Sequence, residues 1–153
     1  EQLGMIKHGS KLIQAVSNVR VPKITLNIGA SFGAGNYAMC GYAYKPDFIF
    51  SWPNAMIGVM GGEQAAKTME QVMISSAKRK GVEIDNEKLK KQIIEIAEKY
   101  NAQSDAFTTS GRGLDYGIIE PTDTREILGF LLDTFWETLH RTTKPNSFGI
   151  ARL

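Results

Sequence analysis

A glycine-rich segment, residues 29–41, lies between a short alternating stretch and a short helical one. Residues 24–28 alternate between apolar and polar side chains, which predicts a strand that stops at Gly29. Residues 35–44 are predicted to form the helix that follows. Glycine permits positive φ and lets a ligand approach the backbone closely. The segment therefore predicts a turn from strand to helix whose backbone N–H groups are open to a ligand.

Such a turn is suited to binding an oxyanion. A helix that begins near Gly35 presents N–H groups without intrahelical partners and the positive end of its dipole. Residues 60–63 form a second glycine turn, between a predicted strand at 57–59 and a predicted helix from Gly62 to about Met73. Two such turns predict a cleft lined by backbone amides rather than by side-chain acids and bases. The alternative is that the glycines only let helices pack tightly on strands.

The rest of the chain alternates in the same way between helical and strand-like patterns, which indicates an α/β fold. The strongest apolar stripe at helical spacing falls at 127–139, behind a pattern typical of a capping box at Asp123 and Glu126. The other predicted elements are an amphipathic helix at 2–18, a strand at 48–50, a charged helix within 78–100 capped by Asp85 or Asn86, a loop at 108–113, and a short strand that follows Asp115 and Tyr116 and ends at Pro121.

Composition excludes several classes of site. The formal net charge of +2 is too small for the concentrated basic face of a nucleic-acid-binding protein. Cys40 is the sole cysteine, which excludes an internal disulfide and a Cys-based zinc site. His8 and His140 are the two histidines, and neither has clustered Cys, Asp or Glu beside it. We therefore expect no metal site.

The chain also lacks sequence signals for a membrane or a secretory route. No apolar run approaches the ~18–20 residues that span a bilayer. Residues 1–4 carry neither a charged nor an apolar signal region, and the chain opens without methionine in what reads as a helix. We expect that sequence is missing upstream.

The glycine segment has a competing interpretation. Residues 29–33 match G-x-S-x-G, the nucleophile elbow of α/β-hydrolases, with Ser31 as the nucleophile. His140 follows in the required chain order, but it ends a strongly periodic helix, whereas such a histidine usually lies on a loop. The acids that could complete this arrangement are Asp115, Asp123 and Asp133.

Two blocks of the sequence carry a family resemblance. The first is residues 6–66, which contain "SFGAGNYAMCG" and "WPNAMIGVMGGEQAA". The second is residues 111–132, "GRGLDYGIIEPTDTREILGFLL", followed by the "FGIARL" ending. These blocks closely resemble the carboxyltransferase (beta) subunit of biotin-dependent acyl-CoA carboxylases, in its methylcrotonoyl-CoA and geranoyl-CoA branch.

The resemblance implies a crotonase-like (ClpP/crotonase) fold of stacked ββα units. Subunits of this family have two such domains. Residues 1–153 would be the C-terminal part of the C-terminal, biotin-side domain, with a charged helical excursion at about 78–103. The N-terminal acyl-CoA domain would be absent, so we expect this segment alone to be inactive. A non-catalytic oligomerisation fragment, with contacts through residues 122–153, is the alternative from another class.

The resemblance also implies an activity and its partners. CO2 would pass from carboxybiotin to an acyl-CoA, with 3-methylcrotonoyl-CoA favoured. Biotin would be carried by a biotin carboxylase/biotin carrier alpha subunit, and the beta subunits would form a homo-oligomer. Neither a nucleic acid nor a membrane is expected as a partner. The location would be cytoplasmic in a bacterium and the mitochondrial matrix in a eukaryote.

Site residues follow from the same resemblance. The N–H groups of Ala34 and Gly35 would form an oxyanion hole for the ureido oxygen of biotin. The pocket around them would be shaped by Phe32, Gly33, Asn36 and Tyr37, with Gly61 and Gly62 in the neighbouring turn.

Overall fold

The computed structural model of the chain describes residues 3–83 and 85–142. It divides into two compact units, residues 1–121 and residues 122–153. The helices are α1 (Met5–Asn18), α2 (Gly33–Ala38), α3 (Gly62–Lys80), α4 (Asn86–Ser104), α5 (Ala106–Gly111) and α6 (Thr124–His140), the strands are β1 (Ile24–Asn27), β2 (Ala30–Phe32), β3 (Phe48–Ser51) and β4 (Met56–Gly58), and two short 3₁₀ turns cover Tyr42–Tyr44 and Pro121–Asp123.

Four short strands of the first unit form two parallel pairs. Strand β1 pairs with β3, with Ile24 opposite Phe48, and β2 pairs with β4, with Ala30 opposite Met56. Parallel neighbours need a crossover connection, which α2 and the 3₁₀ turn after it supply. The chain therefore runs through two consecutive ββα units, β1-β2-α2 and β3-β4-α3, as the family resemblance implies.

The glycine-rich segment contains a strand that the sequence pattern does not predict. Strand β1 ends at Asn27, and β2 then follows within the predicted turn. The backbone between them is held by the next ββα unit. Asn54 Nδ2 donates to Ile28 O at 3.1 Å, and the Met56 N–H donates to Gly29 O at 3.2 Å. A direct turn from the first strand into the helix is therefore wrong.

The predicted helix over 35–44 is divided in two. Helix α2 ends in a Schellman motif, in which Gly41 N–H donates to Asn36 O and Cys40 N–H donates to Tyr37 O. Cys40 takes the left-handed position of this motif with φ of 59°. Glycine usually occupies that position, so the sequence gives no stop signal at residue 40 itself.

The two long helices α3 and α4 pack against each other. Helix α3 runs beyond the predicted end near Met73 to Lys80, and its last turn carries three basic residues that complement the helix dipole. Asp85 caps α4 by accepting the N–H groups of Glu87 and Lys88, so of the two predicted caps Asp85 is confirmed.

Two predictions near residue 110 are wrong in detail. The predicted loop at 108–113 overlaps α5, a short helix whose N-cap is Asp105. The short strand predicted between Tyr116 and Pro121 is not a full strand, although residues 116–119 run beside β3. Ser51 N–H donates to Gly117 O at 3.2 Å, Ile119 N–H donates to Ser51 O at 2.9 Å, and one bridge joins Ser51 to Ile118.

The core of the first unit is built from small side chains. Ile49 is 2% exposed, Ala55 and Ala65 are each 1% exposed, and Ala106 is fully buried. Helix α1 forms as predicted, but none of its residues is buried, and Leu3 and Ile6 are 92% and 72% exposed. Because alanine keeps backbones close together, the core brings the ends of α4 and α5 close to β4.

In the second unit, α6 confirms the helix predicted from the apolar stripe. The capping box predicted at Asp123 and Glu126 is not formed, since the Asp123 side chain makes no cap hydrogen bond. A 3₁₀ turn leads into the helix instead, and Asp123 itself has helical dihedral angles.

Candidate functional site

The N-terminus of α2 has backbone donors without acceptors inside the helix. Its N-cap is Phe32, whose side chain makes no cap hydrogen bond. The N–H groups of Gly33, Ala34 and Gly35 therefore lack partners within the helix. Gly33 has φ of +53°, and a Cβ there would lie 3.0 Å from the Val59 carbonyl oxygen. Glycine is thus required at 33 for the chain to enter the helix.

A cavity of about 450 Å³ lies beside this helix start. Its floor includes Ile49, Ile57 and Val59, from the two ββα units. Three elements around it close the sides. The lining residues that they contribute are Gly33, Ala34, Asn36 and Tyr37 from α2, Tyr100, Gln103 and Ser104 from the last turn of α4, and Thr109 and Arg112 at α5.

The structure thus brings four of the predicted site residues to one cavity, and Gly35 lies beside them. Gly35 does not line the cavity, and a Cβ added there would meet no atom within 4 Å. Asn36 is fixed by its own contacts, since its Nδ2 donates to Ser31 Oγ at 2.9 Å. Tyr37 packs edge-on against Tyr44, with ring centroids 5.7 Å apart.

The second glycine turn, residues 60–63, packs against Phe32 and α4. The ring of Phe32 lies over it, so that a Cβ at Gly61 would be 3.4 Å from the ring. The N–H of Gly62 donates to Asn101 Oδ1 at 3.3 Å, and a Cβ at Gly62 would lie 2.5 Å from Ala97 O. The amide of Gly62 is therefore engaged by α4, and neither glycine lines the cavity.

A helix cap holds the other side of the cavity. Asp105 Oδ1 accepts the N–H of Thr108 at 3.0 Å, and Asp105 Oδ2 accepts its hydroxyl at 2.5 Å. These hydrogen bonds to the Thr108 side chain and backbone lower the pKa of the Asp105 carboxyl below its ordinary value. An ionised Asp105 thus fixes the start of α5 and, with it, the position of Arg112.

The comparison that decides the family covers almost the whole chain. Residues 1–148 match the carboxyl transferase domain. The chain belongs to the carboxyl transferase family.

Relatives within this family are similar over the full chain. It is 44% identical over its whole length to the mitochondrial methylcrotonoyl-CoA carboxylase beta chain of Arabidopsis thaliana, of which it covers 26%. It is 43% identical, over 98% of its length, to the biotin-dependent 3-methylcrotonyl-coenzyme A carboxylase beta1 subunit of Mycobacterium tuberculosis, of which it covers 28%. The carboxyl transferase chain thus spans about a quarter of the length of these relatives.

A solved structure supports the same assignment. The beta subunit of Pseudomonas aeruginosa geranyl-CoA carboxylase aligns with 99% of this chain and 28% of its own, with a TM-score of 0.86 and 46% identity. The predicted crotonase-like fold class is therefore confirmed for this carboxyl transferase chain.

The hydrolase interpretation lacks its geometry in this carboxyl transferase chain. A nucleophile elbow places serine on a strained turn between strand and helix. Ser31 instead lies inside β2, opposite Ile57, and its hydroxyl accepts a hydrogen bond from Asn36. His140 lies on α6, where its Nδ1 is 2.7 Å from Trp136 O. Asp115 accepts hydrogen bonds from Ser51 and Gly117.

Within residues 3–83 and 85–142, no group of three or more His, Cys, Asp or Glu side chains is placed to hold a metal ion. No helix in the same ranges is both long enough and apolar enough to cross a membrane.

The sequence did not predict the part of the cavity that is lined by residues at the ends of α4 and α5. Tyr100, Gln103 and Arg112 line it, yet they belong to segments interpreted as a solvated helix and a loop. The signal that was available is Asp105 followed by Thr108, a spacing typical of a helix N-cap. A helix predicted there would have placed Arg112 at its C-terminal end, next to the glycine turns.

Proposed function

We propose that this chain is the biotin-side segment of a carboxyltransferase that transfers CO2 from carboxybiotin to an acyl-CoA, with 3-methylcrotonoyl-CoA as the favoured acceptor. One observation carries the proposal: the chain is 44% identical, from end to end, to a methylcrotonoyl-CoA carboxylase beta chain. The acyl-CoA half of the site would come from a domain outside these 153 residues.

The cavity beside α2 fits the head group of biotin. Its volume of about 450 Å³ lies within the ~300–1,000 Å³ common for small-ligand sites. Its lining combines apolar side chains with tyrosine rings, and the first-turn amides of α2 lie at its edge. When bound, carboxybiotin supplies the carboxyl group that is transferred.

The contribution of the chain itself is electrostatic and steric. The N–H groups of Ala34 and Gly35 would donate to the ureido oxygen of bound biotin, where backbone donors stabilise negative charge on an oxygen. Gly33 allows the backbone to turn toward the ligand, and Tyr37 supplies an aromatic wall. Asn36 holds the helix start in place through Ser31.

The remaining residues of the proposed site, Phe32, Gly61 and Gly62, do not line the cavity. The ring of Phe32 lies over the second glycine turn, 3.4 Å from a Cβ added at Gly61. The amide of Gly62 is already paired with Asn101, so Gly61 and Gly62 shape the cleft rather than donate to the ligand. This division of roles supports an oxyanion hole formed by the amides of α2.

The proposed partners follow from the relatives. The biotin would be carried by a biotin carboxylase/biotin carrier alpha subunit, and copies of the beta subunit would assemble with one another. The location would be cytoplasmic in a bacterium and the mitochondrial matrix in a eukaryote, as the name of the Arabidopsis relative states for that protein.

The test is a carboxylation assay of the intact gene product with its biotinylated partner. Incorporation of labelled bicarbonate, in the presence of ATP, is measured with 3-methylcrotonoyl-CoA, geranoyl-CoA and propionyl-CoA. We expect the first two to be carboxylated and propionyl-CoA to react poorly. A partner whose biotin-bearing lysine is removed serves as the control.

Two results would contradict the proposal. Absence of carboxylation with all three acyl-CoAs would remove the carboxyltransferase assignment. Equal or faster turnover of propionyl-CoA would leave the carboxyltransferase in place but overturn the branch.

A further inference from the structure

The cavity beside α2 contains a single permanent charge. Among the described residues that line it, Arg112 alone carries one, while the others are apolar, amide, hydroxyl or phenol side chains. A guanidinium is positively charged at every physiological pH and offers five N–H donors in a planar fork. The cavity therefore has a place where a planar anion is favoured over a neutral group.

The backbone at Arg112 is fixed. Its N–H donates to the carbonyl oxygens of Thr108 and Thr109, both at 3.2 Å. Thr109 is 2% exposed, and its hydroxyl donates to Asp105 O at 3.0 Å. The start of the same helix is capped by Asp105. Arg112 thus projects from a short helix that is anchored at both ends.

The side chain of Arg112 is available to a ligand. Within residues 3–83 and 85–142, no carboxylate forms an ion pair with Arg112. A cation that lines a cavity without a protein partner is available to an anionic ligand. Arg–carboxylate pairs are commonly bidentate, which adds orientation to affinity.

We infer that Arg112 binds the carboxylate that the reaction transfers, where it stands on the product acyl-CoA. This inference rests on the proposed function and extends it to a cavity residue at the C-terminal end of α5. The acyl-CoA and its carboxylated product differ by one carboxylate. A residue that recognises this group must therefore discriminate between the two ligands.

The experiment measures that discrimination without turnover. The intact gene product, without its biotinylated partner, is titrated calorimetrically with 3-methylcrotonoyl-CoA and with its carboxylated product. For Arg112→Met we expect affinity for the carboxylated product to fall by about 10- to 100-fold, the loss typical of a charge-assisted hydrogen bond. Affinity for 3-methylcrotonoyl-CoA should stay within about twofold of the wild type, because that ligand lacks the carboxylate.

Two further variants sharpen the comparison. Arg112→Lys keeps the charge but loses the planar fork, so its loss should be intermediate. Arg79→Met is the matched control, because Arg79 is exposed in the last turn of α3 and does not line the cavity. If Arg112→Met fails to fold, as judged by its thermal midpoint, Arg112→Gln gives the same comparison with a polar side chain.

The outcomes separate this inference from the proposed function. Wild-type affinity of Arg112→Met for the carboxylated product would overturn it, and so would an equal weakening for both ligands, which would indicate a structural role. If the wild type carboxylates acyl-CoA and Arg112→Met binds the carboxylated product with wild-type affinity, only the role of Arg112 is contradicted. If the wild type neither binds nor carboxylates acyl-CoA, the proposed function itself is contradicted.

Discussion

Gly33 and Gly35 both lie in the first turn of α2, yet the structure predicts opposite consequences when each is replaced. At Gly35 an added Cβ meets no atom within 4 Å, and φ lies outside the left-handed region. At Gly33 φ is +53°, and an added Cβ would lie 3.0 Å from Val59 O. Substitution at 35 should therefore preserve the fold and damage the site, whereas substitution at 33 should damage the fold.

The magnitudes follow from the two environments. Alanine in place of a helical glycine stabilises by roughly 0.5–1 kcal/mol, which applies to Gly35→Ala. An L-residue forced into the left-handed region costs about 1–2 kcal/mol, which applies to Gly33→Ala before the contact with Val59 is counted. The two alanine variants should thus differ by roughly 1.5–3 kcal/mol in folding free energy.

The activity of the Gly35 variants tests the oxyanion hole. Removal of one oxyanion donor lowers kcat by about 10²–10³-fold in well-studied cases. Gly35→Leu keeps its N–H but places a bulky side chain next to the two proposed amides, so we expect at least ~100-fold loss of carboxylation. Gly35→Ala should retain more activity than Gly35→Leu, because its side chain is small.

The assay combines the thermal midpoint of the intact gene product with its carboxylation rate toward 3-methylcrotonoyl-CoA. Gly111→Ala, also helical and with no atom within 4 Å of the added Cβ, is the matched control; its thermal midpoint should rise about as much as that of Gly35→Ala, and its carboxylation rate should be normal. If Gly35→Leu keeps activity within threefold of the wild type, the amides of Ala34 and Gly35 do not bind the reacting oxygen. If Gly35→Ala unfolds at a lower temperature than Gly33→Ala, the geometric argument fails.

Three further predictions concern residues around the site. Ser31→Ala loses a hydroxyl that accepts from Asn36 and should keep most carboxylation activity; loss of all activity, or labelling of Ser31 by a fluorophosphonate, would revive the hydrolase. Gly113→Ala has open space but φ of +73°, so urea unfolding should show a cost of about 1–2 kcal/mol, and a neutral result would remove the strain argument. Since its hydrogen bonds lower the pKa of Asp105, the ionised carboxyl stabilises the fold above its ordinary pKa of 3.8, and that stabilisation is lost as pH falls through the folded value. Asp105→Asn should therefore unfold more easily than the wild type at pH 7, with the difference in thermal midpoint closing in acid; a difference independent of pH would contradict this.

The sequence predicts the long helices and the core strands because their signals are local. Asp85 stands directly before a helical stripe and caps it, and the alternation in 24–28 gives β1 within one residue of its end. The end of α2 is harder to predict, because Cys40 occupies a left-handed position that usually belongs to glycine. Its stop depends on the Schellman hydrogen bonds of Cys40 and Gly41, which a pattern of apolar residues does not reveal.

The candidate site was also predicted only in part. The residues of α2 that line the cavity follow from the glycine turn, since strand-to-helix turns are visible in sequence. The lining residues from α4 and α5 depend on contacts between distant segments. Arg112 reaches the cavity because α5 packs near β4 and starts at Asp105, which itself bridges to Met56 in β4. That pairing spans about fifty residues, and no local signal encodes it.

The choice between packing glycines and ligand-binding glycines has a different answer at each position. Gly58 lies against Ser104 Oγ, 2.9 Å from an added Cβ, and Gly62 lies against the carbonyl oxygen of Ala97, 2.5 Å from an added Cβ. These two are packing glycines, because a side chain there would displace Ser104 or a helix backbone, whereas a Cβ at Gly61 would make only an ordinary contact with the Phe32 ring at 3.4 Å. Packing does not explain Gly35, since nothing lies within 4 Å of its missing Cβ, but Gly9, Gly111 and Gly129 have the same open space. Gly35 differs from them by its place in the first turn of α2, beside the cavity, and the proposed oxyanion hole accounts for a bare backbone at that place.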